Sequence, residues 1–384
     1  MKIGIIGAYC TKFGELWNKS LLDLLAEAQL GALRDAQISA KEIQSLFVGN
    51  MGAGFFTGQM HLGAVATNML HISCPHMSIE AACASGGLAL SAGIMAIQVG
   101  RAEVVLVSGV EKMTDLDAEK VATILMAAAS ADQELLIGAT YPAINALIAQ
   151  QYMNTYGITR QQLAAVSIKN HWYGARNARA HFTREITEKD FLAADMIAPP
   201  LSLFDCAPIS DGAAALVLCS ENYAKKHNKQ AVYVIGSGQA TDTLALAQRA
   251  SLTEFKAAQE ASHIAYAQAG IGPQDIDVAE VHGAFTITEL ISLEDLGFFE
   301  KGKSVYAFQE WYEKKSLSLA FNTSGGLKAK GHPVGATGVA QACEIVQQLR
   351  GQCGQRQANN PRFGLTHNLG GCGTTAVVHI FAKE

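Results

Sequence analysis

The sequence predicts an α/β fold built from two copies of one unit, with a helical segment inserted into the first copy. Three observations predict it. Short apolar runs of strand type alternate with longer runs at helical spacing. The order of these runs in the first half of the chain recurs in the second half. One long stretch of helical pattern has no counterpart. The chain of 384 residues is 49% hydrophobic and only 16% charged, which is enough apolar material for a large buried core.

The first half opens on an apolar strand, Lys2 to Ala8. A helix follows over Leu21 to Ala36, where apolar residues recur at three- and four-residue spacing. SLFVGN reads as a short strand. A turn carrying Cys83 leads into a small-residue helix, Gly86 to Val99. EVVLVSG and, much later, AAALVLCS read as buried strands. The second half repeats this order. VYVIGSG is its opening strand, and Glu254 to Ala269 is its helix, stopped by Gly270. DIDVAEVHG is the next strand. The turn GHPVGATG precedes a helix over Thr337 to Leu349, and RFGLTHN and TTAVVHIF close the unit. Each half is thus β-α-β-turn-α-β-β. Two such halves predict a pseudo-twofold pair of mixed sheets with helices between and outside them. The expected boundaries are residues 1–111, completed by 204–230, for the first half and 231–384 for the second. Residues 112–203 form an inserted loop domain, a natural lid or binding element at a strand end.

Bulk properties exclude several function classes. A net charge of −5 without a long basic run argues against a nucleic-acid face. Eight cysteines occur without a single C-x-x-C, which argues against a zinc knuckle and a metal role. No secretory signal and no uninterrupted apolar stretch of membrane-spanning length is read, and the closing residues are no peroxisomal address. The expectation is a soluble cytoplasmic protein with free thiols and no membrane partner.

Four residues carry the candidate chemistry. Cys83 lies in IEAACASGGLALSAG, where an apolar run stops, small residues follow and a helix begins. A sulfur at such a corner lies near amides and a helix dipole that favour the thiolate nucleophile. The plainer reading is a small buried residue packing like alanine. His332 lies in GLKAKGHPVGATG, flanked by glycine and proline on a stiff loop. It suits a base for a thiol or a donor to an oxyanion, or else a simple helix cap. His282 ends a strand, where it either faces a cleft or sits satisfied in the core. Pseudo-symmetry brings the helix after Cys83 and the helix after His332 to one shared cleft. Cys372, in HNLGGCGTT, is either a second thiol for proton transfer or the filling of a tight turn. His367 and Asn368 lie beside it as polar contributors. Three other features are discounted. GIIGAY lacks the full dinucleotide fingerprint. Asp205 and Asp211 read as turn-shaping residues. His171 and His181, with Arg176 and Arg179, read as a polar helix face that greets phosphate.

Taken together, ACASGG around Cys83, SDGAAA at 210–215, HGAF at 282–285, GHPVGATG at 331–338 and NLGGCG at 368–373 resemble the thiolases, in order and over nearly the whole chain. The short motif around His282 is similar to that of the archaeal-type and sterol-carrier-linked members. The resemblance implies duplicated βαβαβαββ halves in a layered α-β-α-β-α core, with the inserted loop domain. It implies coenzyme A thioesters as substrates, no resident cofactor, and a homodimer or homotetramer. Cys83 would be the acylated nucleophile, His332 its base and an oxyanion-hole member, and His282 a second oxyanion-hole donor. The amides of Cys83 and Gly370 would form the other hole. Many thiolases also carry a C-x-G cysteine. Aligned on the glycines it falls at Asn368 here, with Cys372 four residues later. Either Cys372 reaches the same place by another turn or the usual second thiol is lacking. The implied reaction is thiolytic cleavage of a 3-ketoacyl-CoA or Claisen condensation of acyl-CoA, for example two acetyl-CoA to acetoacetyl-CoA. The alternatives are a decarboxylating ketoacyl synthase-like enzyme and a subunit that works only with a small zinc-bearing OB-fold partner protein.

Overall fold

Strands that are apolar at every position need cover on both faces, and the topology supplies it twice. The computed structural model describes residues 2–315 and 319–383. Its strands are β1 (Ile3–Cys10), β2 (Ser45–Gly49), β3 (His76–Ile79), β4 (Val104–Glu111), β5 (Met196–Ala198), β6 (Leu201–Ser202), β7 (Gly212–Ser220), β8 (Val232–Thr241), β9 (Val278–Glu280), β10 (Ala320–Phe321), β11 (Phe363–Gly370) and β12 (Thr375–Lys383). β5 and β6 form a small separate hairpin. The other ten run in the order β10-β9-β11-β12-β8-β1-β7-β4-β2-β3.

The order is the repeat made visible. In the first half β1 and β4 flank β7 antiparallel, and β2 pairs parallel with both β4 and β3. In the second half β8 and β11 flank β12 antiparallel, and β9 pairs parallel with both β11 and β10. The sequence predicts two sheets. The structure joins the two five-stranded arrays edge to edge, because β1 and β8 pair antiparallel over Ile3–Val234 to Ile5–Val232. The two short parallel edge strands, β3 and β10, were not read from the sequence.

Side-chain alternation assigns the layers. Val105 and Val107 of β4 and Leu216 and Leu218 of β7 face a central cluster. Val104, Leu106, Val217 and Cys219, on the opposite faces, pack under the helix Leu21–Ala36. The helix Lys256–Ala269 covers the second array in the same manner. Two central helices, Ser85–Gln98 and Thr337–Leu349, fill the space between the arrays. Leu90 and Ile94 of one share a cluster with Val339 and Ile345 of the other. Glycine makes their close crossing possible. A Cβ on Gly338 would stand 2.2 Å from the Gly87 nitrogen, and one on Gly86 would stand 2.8 Å from the Gly335 oxygen. The layered α-β-α-β-α architecture follows from that crossing.

Residues between β4 and β7 form the helices Ala118–Met126, Tyr141–Tyr156, Arg160–Gly174 and Glu188–Ala193, besides the hairpin. Capping boxes at Thr159 and Thr187 start the last two helices. The polar run within this segment does not form the exposed face expected of it. Lys169, Asn170 and His171 are buried. Lys169 Nζ donates to the Phe321 carbonyl at 2.8 Å, and Asn170 donates to Glu289 at 2.6 Å. The imidazole of His171 stacks on Phe182. Polar residues on this helix tie the segment to the second half. Asp211 shapes its turn as expected: its carboxylate accepts the amides of Leu16, Met113 and Thr114 and pairs with Lys112 at 2.7 Å.

Candidate active site

Cys83 owes its position to an irregular turn. Ala82 takes φ +52, a left-handed conformation that is costly for a residue with a Cβ. The Ser85 hydroxyl holds the turn, accepting the Ala81 amide at 2.9 Å and donating to the Ala82 carbonyl at 2.6 Å. Cys83 then stands at the mouth of the helix Ser85–Gln98. The corner agrees with the sequence reading, but the ionisation does not. Burial, reinforced by Cys372 and Glu111, pushes the Cys83 thiol up to about 12. Backbone amides of Gly371 and Cys83 pull the other way and lose. The resting group is a neutral thiol, which becomes a nucleophile only where a neighbour can take its proton.

That neighbour is present. Cys83 Sγ and one ring nitrogen each of His282 and His332 lie within 4.8 Å of one another, the one such grouping of potential metal ligands among the described residues. The two rings are 5.1 Å apart and nearly perpendicular, at 83°. His332 is fixed at two points. Its amide donates to Ser210 Oγ at 3.3 Å, and its Nδ1 lies 2.7 Å from Thr337 Oγ1. Thr337 in turn donates to the Pro333 carbonyl at 3.0 Å. The buried Nε2 has no partner. Burial holds the His332 imidazole down at about 3, so it is neutral and able to accept. Burial and the neighbouring His332 and His367 hold His282 well below the usual histidine range.

The cleft around this trio has a volume of about 560 Å³. Its walls are largely apolar, with Leu125, Phe182, Ile197, Phe255 and Phe285 among them. Cys372 lines the same cleft. Its Sγ lies 3.6 Å from Asn145 Nδ2, whose side-chain oxygen accepts from Thr288 at 3.2 Å. Burial pushes the Cys372 thiol up to about 12 as well. Gly370 ends β11 opposite Thr375, and the next amide, that of Gly371, acts on the Cys83 sulfur to favour its thiolate.

Two contributors, Glu111 and Tyr141, are not singled out by the sequence. Glu111 accepts the amides of Met51 at 2.9 Å, Gly52 at 3.1 Å and Gly335 at 3.0 Å, so it pins the His332 turn to the end of β2. Tyr141, on the inserted segment, lines the cleft with a buried hydroxyl that has no partner. Asn368 reaches both Cys83 and His282. His367 is buried with neither ring nitrogen bonded, and it does not line the cleft. A carboxylate buried among amides carries no motif that would single it out.

The comparisons agree with the geometry. Residues 3–222 match the family model described as thiolase, N-terminal domain, and residues 238–383 match thiolase C-terminal domain-like. The chain is 44% identical over 382 residues to the acetyl-CoA acetyltransferase of Methanothermobacter thermautotrophicus, covering 99% of each chain. It is 42% identical to that of Methanocaldococcus jannaschii, covering 100% of this chain and 99% of the relative. Among solved structures, the "Ltp2-ChsH2(DUF35) aldolase" superposes with a TM-score of 0.85 at 25% identity, over 100% of this chain and 98% of that one.

Proposed function

The chain belongs to the thiolase family and is a thiolase-type acyltransferase, and from that premise we propose how its own residues divide the reaction. The observation that carries the proposal is the neutral thiol of Cys83 within 4.8 Å of two neutral imidazoles in an apolar cleft. His332 Nε2 takes the Cys83 proton as the sulfur attacks the carbonyl carbon of an acyl-CoA. The tetrahedral oxyanion meets the amides of Cys83 and Gly371. The C–S bond to coenzyme A breaks, and the departing thiolate recovers the proton from His332. The acyl group now sits on Cys83, which splits one difficult transfer into two easier ones.

In condensation, Cys372 first gives its thiol proton to the neutral His332. The resulting thiolate takes the α-proton of a second thioester, the α-carbon attacks the acyl-enzyme, and the departing Cys83 sulfur recovers the proton from His332. The enolate oxygen lies against His282 and His332. In cleavage these steps run backwards, and the enolate released from a 3-ketoacyl-CoA needs a proton at carbon. A neutral thiol can give one, and Cys372 faces the same cleft. We assign Cys372 that acid/base role. Every step uses side chains and coenzyme A thioesters and calls on no resident metal or cofactor. Both family models favour this chemistry over a decarboxylating ketoacyl synthase. Among the described residues no helix is long and apolar enough to cross a membrane. A cytoplasmic homo-oligomer, with residues 112–203 as the substrate-covering domain, completes the proposal.

Purified protein given acetoacetyl-CoA and coenzyme A should produce acetyl-CoA. Cys83→Ala should abolish that product. Turnover that survives the substitution would overturn the assignment. A second reading, dependence on a partner chain, is favoured by the aldolase that superposes on this fold, whose description includes a DUF35 component. Calorimetry of acyl-CoA with the isolated chain separates the two. Tight binding supports an autonomous enzyme, and binding only after addition of an OB-fold partner supports the second reading.

A further inference from the structure

We propose that Asn368 is a positioning residue that fixes His282 in the tautomer protonated at Nε2, so that this ring donates a hydrogen bond into the cleft and does not compete with His332 as a base. The inference rests on the thioester-binding role given above for the His282 ring.

The argument begins with groups whose hydrogen-bonding sense is not in question. A backbone N–H only donates, and a backbone carbonyl only accepts. The Gly87 amide lies 3.1 Å from Asn368 Oδ1. The Cys83 carbonyl lies 2.9 Å from Asn368 Nδ2. These two bonds fix the side-chain amide in one orientation. Its second N–H then points at His282 Nδ1, 3.3 Å away. A neutral imidazole has one N–H and one lone pair. The nitrogen that faces a donor must carry the lone pair, so the proton is on Nε2.

Burial, with His332 and His367 beside it, holds His282 well below the usual histidine range and so uncharged. His332 and His367 flank it, Asn368 faces Nδ1, and the Ser292 hydroxyl donates to its carbonyl. No carboxylate is hydrogen-bonded to the ring among the described residues. The result is an asymmetric pair. His332 offers an unpartnered Nε2 that can accept from Cys83. His282 offers an Nε2–H that can donate to an enolate or thioester oxygen. Two identical bases at 5.1 Å would compete for one proton. An acceptor beside a donor gives each ring one task.

The same lock bears on metal binding. Cys83, His282 and His332 are close enough for a soft divalent ion. Coordination through His282 Nε2 requires the opposite tautomer, which would set an Nδ1–H against an N–H of Asn368. Asn368 thus disfavours coordination through His282 Nε2 as well as orienting the donor. It does this from the place where alignment on the glycines puts the usual second cysteine of the family.

The test is a two-bond ¹H–¹⁵N correlation spectrum of protein carrying ¹⁵N-labelled histidine, with the His282 signals identified by their loss in His282→Gln. The wild-type ring should show the Nε2–H tautomer. Asn368→Asp is nearly isosteric but replaces the donor with an acceptor. It should move His282 to the Nδ1–H or doubly protonated form and lower kcat by about 100-fold, with a much smaller change in KM. The spectrum needs no turnover, so it is independent of whether the acyl-transfer reading holds. An Nδ1–H tautomer in the wild type, or an unchanged tautomer in Asn368→Asp, overturns the inference. If Asn368→Asp does not fold, the wild-type spectrum alone decides.

Discussion

Corresponding strand ends do different work in the two halves of this duplicated fold. β2 and β4 end beside Asn50 and Glu111. The carboxylate of Glu111 is filled by the Asn50 side chain at 2.8 Å and by three backbone amides, Met51, Gly52 and Gly335. Nothing in that cluster remains to meet a substrate. β9 and β11 end beside His282 and Asn368. There the side-chain pair is joined by one contact of 3.3 Å, and the imidazole lines the cleft. The helix mouths differ in the opposite sense. The first half presents Cys83, the proposed nucleophile, and the second half presents His332, its proposed base. One copy of the strand-end pair is thus closed by its own hydrogen bonds, while the other sets an imidazole in the cleft wall.

The sharpest way to break this comparison is at the helix mouths. His332→Ala should slow acylation by about 10²–10⁴-fold, the usual worth of a positioned base, measured as release of coenzyme A in a single turnover. A small effect would mean that Cys83 ionises without help. Cys372→Ala should come next. It should lower thiolytic cleavage by up to about 100-fold while leaving the coenzyme A burst intact, because only the carbon–carbon step uses the second thiol. Loss of the burst itself would place Cys372 in the acylation step.

Glu111→Gln tests the scaffold half. It disturbs a buried acceptor of backbone amides and should cost about 1–3 kcal/mol of stability, read from chemical denaturation. Acylation per folded molecule should change little. A large loss of acylation at full stability would show that the first-half pair is also chemical. The gentlest test uses pH. Because the Cys83 thiol is pushed up to about 12, its thiolate fraction grows about tenfold per pH unit throughout the neutral range. Alkylation by iodoacetamide should rise steadily with pH and show no plateau near neutrality. A plateau would reveal a stable thiolate–imidazolium pair.

Much of the fold was legible because it depends on periodicity. The helix Leu21–Ala36 and the long buried strands carry their burial pattern in the sequence. The helix that begins at Ser85 and the glycine turn before Thr337 also stood where the repeat placed them. The two edge strands were missed because each is short, four residues for β3 and two for β10, so neither shows a period. The polar run around Lys169 misled because sequence cannot show that Phe321 and Glu289 come to meet it. In the site, Cys83, His332, His282 and Cys372 were visible through residue type and glycine-rich surroundings. The helix-mouth amides suggested a thiolate, but burial overrides them, and burial is a property of the assembled cleft. Glu111, Tyr141 and the tautomer-setting place of Asn368 depend on contacts between residues far apart in the chain, which no local pattern records.

The central claim is that Cys83 carries the acyl group. Brief incubation of the protein with acetyl-CoA, acid quench, digestion and peptide mass spectrometry tests it directly. The acetyl group should appear on the peptide containing Cys83, should be lost on adding coenzyme A, and should be absent from Cys83→Ala. Acetylation confined to Cys372, or labelling undiminished in Cys83→Ala, would contradict it.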